Sequence, residues 1–264
     1  MQRWLKIVPL GAAIWIASLG PKPAGAQEVE SPSVARGPAA FLFAYEIKDG
    51  MRSQFEDGYR RHLEWHREHR DPLPWYGWVV TSGERPGLFI DGTFGIPFRA
   101  FDERVEPRAD YADMLETALP YMTPAFYRTY RLRAELGTGQ PLEDREPAGS
   151  VQVFLFAVSP GREAEFADWA GRLRELATGG TAGTGPVLTW YELVAGGEHP
   201  AFMLLVSRNG WRDVASGPGL ASTILGAGAH PSRAQELTAG LAGLVRGIES
   251  EVWTYREDLS LFGR

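Results

Sequence analysis

Three histidines, His62, His66 and His69, fall in one short stretch whose apolar residues recur with a helical period. At about 100° per residue, Met51, Phe55, Tyr59, His62, Leu63, His66 and His69 share one face of that helix. Imidazoles one turn apart can chelate a transition metal, shuttle protons or titrate near neutral pH. Arg60, Arg61, Arg67 and Arg70 crowd the same stretch and would repel a cation, and metal centres ordinarily recruit ligands from several segments, so no metal is expected. A single histidine suffices for haem if an enclosed space fits it. No cofactor is expected, and haem is the alternative. The plain structural reading is that these are hydrogen-bonded polar side chains towards the exposed end of a long helix.

The second concentration of chemistry is aromatic. Trp75, Tyr76 and Trp78, and later Trp190 and Tyr191, lie on strand-like runs, and Tyr130 and Tyr255 close two further runs. Large rings with polar tips suit a pocket for a flat organic molecule; core filling is the competing reading. Arg131 and Arg256, beside the two tyrosines, suit an acidic group or a partner carboxylate. The candidate ligand-binding set is therefore Tyr59, His62, His66, His69, Trp75, Tyr76, Tyr130, Trp190, Tyr191 and Tyr255, with no catalytic residue assigned. No nucleophile elbow, phosphate loop, dinucleotide fingerprint, zinc-protease helix or EF-hand loop is present in the sequence.

The elements that must carry these residues come in two copies. Phe41-Leu42-Phe43-Ala44 returns as Phe154-Leu155-Phe156-Ala157, and Gly50, Phe55 and Asp57 are matched by Gly161, Phe166 and Asp168. Trp75-Tyr76 then answers Trp190-Tyr191, Gly83-Glu84-Arg85-Pro86 answers Gly197-Glu198-His199-Pro200, and Phe98-Arg99 answers Trp211-Arg212. Thr129-Tyr130-Arg131 finally answers Thr254-Tyr255-Arg256, so one unit has been duplicated. Setting Phe55 against Phe166 places His62 at Leu173 and His66 at Ala177, so a polar patch in copy one replaces core in copy two.

Each copy reads strand, helix, hairpin, helix, strand, the split βαβ order of a ferredoxin-like unit. Ser159-Pro160 and Asp49 are the expected starts of the first helices, and Ser232-Arg233-Ala234-Gln235 has a capping-box spacing for the last. Gly217-Pro218-Gly219 and Gly226 to Pro231 flank a short helix near Leu220 to Leu225, a candidate lid. Phe41 to Tyr45, Val153 to Val158 and Ala201 to Val206 are continuously apolar rather than alternating, so both faces of each sheet must be covered. Helices cover one face. The sister sheet, or else a second chain, covers the other.

Residues 1–26 read as a signal peptide, with Arg3 and Lys6, an apolar run from Ile7 to Gly20, and Ala24-Gly25-Ala26 before Gln27. The rest divides into a flexible leader (27–39), module 1 (40–136), a linker (137–150) and module 2 (151–264). With residues 1–26 removed, Lys+Arg falls from 27 to 24 against 33 Asp+Glu, a net charge of −9 that disfavours nucleic acid or anionic membrane as a partner. The absence of cysteine excludes disulfides, thiolate nucleophiles and iron–sulfur clusters.

The fold expected is α+β: two tandem ferredoxin-like βαββαβ modules packed sheet to sheet. In copy two, Val158-Ser159-Pro160-Gly161 leading to Phe166, then Trp190-Tyr191-Glu192-Leu193 and Trp211-Arg212-Asp213, resembles the dimeric α/β-barrel superfamily. The resemblance covers roughly 40–136 and 151–261, and implies two sheets closed around a central cavity. It also implies a range of activities, from cofactor-independent monooxygenases to haem-binding, haem-degrading and chlorite dismutase-like proteins, among which fold cannot choose. The resulting expectation is an exported protein, periplasmic or extracellular, monomeric or homodimeric, that binds a small hydrophobic or aromatic molecule or a partner protein. The alternative is an oxidoreductase, either cofactor-independent and acting on an activated aromatic substrate, or haem-linked. A response of the histidine patch to pH near neutrality is a further expectation.

Overall fold

The computed structural model describes residues 34–179, 185–208, 210–214, 219–226 and 230–262, so the expected signal peptide lies outside the described residues. Module 1 runs β1 (Ala39–Ile47), α1 (Arg52–Glu68), β2 (Tyr76–Ser82), β3 (Phe89–Ile96), α2 (Pro107–Thr117) and β4 (Met122–Leu132). Module 2 runs β5 (Ser150–Val158), α3 (Glu163–Thr178), β6 (Leu188–Ala195), β7 (Ala201–Arg208), α4 (Leu220–Leu225), α5 (Pro231–Ala239) and β8 (Val245–Tyr255). The eight strands close into one antiparallel barrel in the order β1-β3-β2-β8-β5-β7-β6-β4. Two seams join the modules. Tyr255 faces Trp78 across β2–β8, and Tyr130 faces Leu193 across β4–β6, so the two repeated tyrosines occupy equivalent places on the two closing strands.

Alternation along each strand divides the apolar residues between two faces. Ala40, Leu42 and Ala44 point inward on β1, whereas Phe41, Phe43 and Tyr45 point outward. The inward residues of both modules meet in one cluster that includes Leu42, Trp78, Phe94, Val153, Tyr191, Met203 and Trp253. The barrel interior is therefore a packed core, as narrow eight-stranded barrels favour, rather than the central cavity that the resemblance implied. Outside it, α1 and α2 cover module 1 through Phe55, Tyr59, Leu63 and Met114, and α3 to α5 cover module 2 through Phe166, Trp169, Leu173, Ile224 and Leu237.

Several local expectations give way to tertiary structure. α3 begins at Glu163 with Arg162 at its cap, because Ser159 bonds through its N–H to Leu244 O and turns the chain before the helix. Met51, not Asp49, precedes α1. α5 starts on Pro231, and Ser232 Oγ meets His230 Nδ1 at 3.0 Å instead of forming a capping box. The expected lid helix α4 buries Ala221, Ile224 and Leu225 in the module 2 core, and buried Arg208 donates to the carbonyls of Thr223 and Ile224. The linker also does more than connect. Leu142 enters the barrel core, and Tyr191 donates to Glu143 Oε2 at 2.9 Å, closing one barrel end. The described end of the leader is tied down as well, with Gly37 N–H on Gly95 O at 3.0 Å and Arg36 paired to Asp144.

Candidate functional site

The site lies between the outer face of the module 1 sheet and helices α1 and α2. It depends on Gly58: a Cβ there would stand 1.9 Å from Thr117 O, so only glycine lets the two helices approach this closely. One turn later on α1, His62 faces α2, and its Nδ1 lies 2.7 Å from Asp113 Oδ2. His66, a turn further on, presents its Nε2 to His62 Nε2 at 3.2 Å and has its Nδ1 2.7 Å from Asp71 Oδ2, off the ideal hydrogen-bond line.

Asp71 reaches this position because α1 ends in a Schellman turn. Arg70 takes a left-handed conformation (φ 52), Asp71 N–H bonds to His66 O at 2.9 Å, and the chain doubles back under the helix. Trp75 Nε1 donates to the same carboxylate at 3.0 Å. Asp110 of α2 completes the group, with Oδ1 at 3.3 Å from His62 Nε2 and 3.7 Å from His66 Nε2, while Arg104 pairs with Oδ2. His62, His66 and Asp110 are each about 5% exposed or less. They are buried residues with charged neighbours, not side chains at an exposed helix end.

The arginines expected to repel a cation do not face this cluster. Arg60 pairs with Asp57 and Asp258, Arg67 pairs with Glu64, and Arg61 and Arg70 are exposed. The histidines instead face three aspartates and a tryptophan, from segments that helical periodicity in α1 could not reveal.

A second buried acid lies on the sheet below. Asp91 of β3 points outward beneath α1, and burial pushes its carboxyl up to about 7, against the opposing pull of a hydrogen bond with Tyr59. Tyr59 is itself held well above the usual phenol range, first by burial and then by Asp91. Asp91 Oδ1 and the neighbouring Thr93 Oγ1 are buried without hydrogen-bond partners. Directly across the ladder, Asp91 faces Phe43 and Thr93 faces Phe41. Those two phenylalanines form the floor of a groove of about 250 Å³, walled by Phe101, Tyr127, Arg128 and Gly196. Phe101 stacks over Phe41 at 3.6 Å between ring centres, and Arg104 lies over the ring of Phe101 at 5.3 Å. The aromatic groove and the buried polar cluster are thus adjacent.

The same register exposes a deeper difference between the copies. In module 2 the equivalent ladder places Phe202 opposite Phe156 and Leu204 opposite Phe154. Asp91 and Thr93 therefore stand where module 2 has phenylalanine and leucine, just as His62 and His66 stand at Leu173 and Ala177. A wider hollow of about 760 Å³ lies over α3, but its wall is a set of solvent-facing charges such as Arg133, Glu135 and Arg174, with no buried acid–base pair among the lining residues.

Of the ten sequence candidates, the structure gathers Tyr59, His62, His66 and Trp75 into this site. His69 stands apart, stacked on Trp65 at 4.0 Å with Nδ1 on Trp65 O. Tyr76, Tyr130 and Tyr191 are interior core residues, Tyr255 packs beside them at a seam, and Trp190 is buried under α3. These positions do not form one aromatic pocket. Asp71, Asp91, Asp110, Asp113 and Arg104 were missed; the available signal was Asp91, a lone acid inside the apolar run Phe89 to Ile96.

Haem finds no slot beside these histidines. All four ring nitrogens of His62 and His66 face carboxylates or each other, and Phe55, Tyr59 and Phe89 fill the adjoining space. Under α3 the matching space holds Phe156, Phe166, Trp169 and Trp190. The residues present there do not fit the group.

The closed ring of strands, four from each half, gives this chain the fold of a dimeric α/β barrel with both ferredoxin-like modules in one polypeptide. No protein-family model matches it, and no curated protein matches it. Among solved structures it is similar to a putative monooxygenase from Lactobacillus acidophilus, at 11% identity and a TM-score of 0.54, over 86% of this chain and 97% of that one. An anthrone oxidase-like protein aligns at 10% identity and a TM-score of 0.51, over 86% and 94%. A mutant chlorite dismutase from Candidatus Nitrospira defluvii aligns at 6% identity and a TM-score of 0.50, over 86% and 94%. At these identities the likeness is one of fold. Among the described residues, no helix is long and apolar enough to cross a membrane.

Proposed function

We propose that the protein is an oxidoreductase of monooxygenase type that takes a small, weakly acidic aromatic molecule into the module 1 groove. The observation that carries this reading is Asp91. It is a buried carboxyl poised near neutrality with one unpartnered oxygen, placed across a single ladder step from the aromatic floor and behind the groove lining rather than in it. A base of that strength suits removal of a proton from an activated ring carbon. The electron pair left on that carbon reduces dioxygen: a C–O bond forms, the proton held by Asp91 returns to the resulting peroxide, and cleavage of the O–O bond and of the carbon's remaining C–H bond releases water and leaves a carbonyl. The names of the similar structures, a putative monooxygenase and an anthrone oxidase-like protein, support the same class.

The test is oxygen uptake with hydroxylated polycyclic aromatics such as anthrones, for the wild type and Asp91→Asn, with ligand binding followed by tryptophan fluorescence. Turnover should rise with pH through about 7 and fall by about 10²-fold or more in the variant. Binding with no oxygen uptake would leave the groove a carrier site, and equal rates in both proteins would end the proposal. Export is proposed with it: mass spectrometry of the native protein should find a chain beginning at Gln27.

A further inference from the structure

The buried cluster contains an arrangement that proton abstraction by Asp91 does not use. His62 Nε2, His66 Nε2 and Asp110 Oδ1 converge on one point, separated from one another by 3.2, 3.3 and 3.7 Å. Ligands about 2.0–2.1 Å from a tetrahedral ion stand roughly 3.4 Å apart, so the three donors already have the spacing of a coordination shell. The outer contacts fit as well. Each imidazole turns its Nδ1 to a carboxylate, Asp113 for His62 and Asp71 for His66, both at 2.7 Å. For His62 that contact holds the proton on Nδ1 and leaves the Nε2 lone pair free, as outer partners of metal-bound histidines do; for His66 the carboxylate stands at the same distance but off the hydrogen-bond line.

With both Nε2 atoms unprotonated, two lone pairs and a carboxylate oxygen would face one another inside a buried space. Something positive must stand among them, either a proton on one ring or a cation. Arg104 does not fill that role, because it pairs with the far oxygen of Asp110. Nor do the arginines of α1, which are turned away and paired or exposed.

We propose that His62, His66 and Asp110 bind a divalent first-row transition metal, with a donor set of two imidazoles and one carboxylate that suits zinc or iron(II). The ion cross-links α1 to α2 at the point where Gly58 brings them together. The site goes beyond the function proposed above and requires neither the groove nor Asp91.

Untagged full-length protein, stripped with chelator, is titrated with Zn²⁺, with Fe²⁺ under anaerobic conditions, and with Co²⁺ as a chromophore. The expected result is one equivalent of metal per chain and a Co²⁺ absorption stronger than that of the aqueous ion. His62→Gln, His66→Gln and Asp110→Asn should each weaken binding by about 100-fold or more, and Asp113→Asn or Asp71→Asn by about 10- to 100-fold. His69→Gln should bind as the wild type does, and Asp91→Asn should still take up one equivalent, so loss of turnover in Asp91→Asn and loss of metal in His66→Gln report on separate claims. No stoichiometric uptake of any of the three ions, uptake that survives His66→Gln, or uptake abolished by His69→Gln would overturn the site. If a histidine variant fails to fold, the wild-type Co²⁺ spectrum decides alone: one resembling the aqueous ion would refute the proposal.

Discussion

Asp91 is retained against its own solvation preference. Tyr59, Tyr45, His66, Asp110 and Arg104 surround it electrostatically, yet burial is the largest influence and raises the carboxyl to about 7. Below about pH 4 the folded and unfolded chains both hold this proton. Between about 4 and 7 only the folded chain holds it, so the group subtracts stability progressively as pH rises, and the loss is constant above that window. Asp91→Asn should therefore be more stable than the wild type at pH 8, by up to roughly 4 kcal/mol, and nearly equal at pH 4. Thermal melts at the two pH values check this. An unchanged difference between them would mean that the carboxyl is ionised in the folded protein. A gain in stability alongside a loss of turnover is the pattern expected of a group kept for chemistry.

At the scale of elements, the decisive contact is the crossing of α1 and α2. Gly58→Ala must push the helices apart or distort Thr117, which should cost about 1–3 kcal/mol in stability. It should also separate His62 from Asp113, visible as altered imidazole resonances in NMR. A stable variant with unchanged histidine signals would show that the helices are not in close contact.

This crossing also explains what could be read from the chain. The repeat of Phe41-Leu42-Phe43-Ala44 as Phe154-Leu155-Phe156-Ala157 gave the module order, because strands are local patterns that survive duplication. The exchange of Leu173 and Ala177 for His62 and His66 was legible because α1 and α3 keep the same length between landmarks. Asp91 stood out as a lone acid in an apolar run, but its exchange for Phe202 was not legible, because Phe202 follows the Gly-Glu-x-Pro turn by three fewer residues and only the ladder register aligns the two. Asp71, Asp110 and Asp113 meet the histidines through a Schellman turn and a helix crossing, contacts between segments that no periodicity within one segment encodes.

At the scale of the barrel, closure leaves no free sheet edge among the described residues, since β2 and β4 of one half pair with β8 and β6 of the other. The interior between them is filled, and the segment joining the halves contributes Leu142 to that filling. Leu142→Ala should lower the stability of the entire barrel by about 2–5 kcal/mol in denaturant titration, as for a buried core leucine. A change under about 0.5 kcal/mol would show that residue 142 sits in solvent like an ordinary surface position.

The stopper formed by Leu142 and Glu143 has one more effect. Two copies of this polypeptide could in principle trade halves, each lending its second module to the other's first, since the seams would be identical. The joining segment would then have to leave the barrel mouth, withdrawing Leu142 from its apolar seat and Glu143 from Tyr191. By seating its own tether inside the closed ring, the chain favours partnership with itself over entanglement with its neighbour.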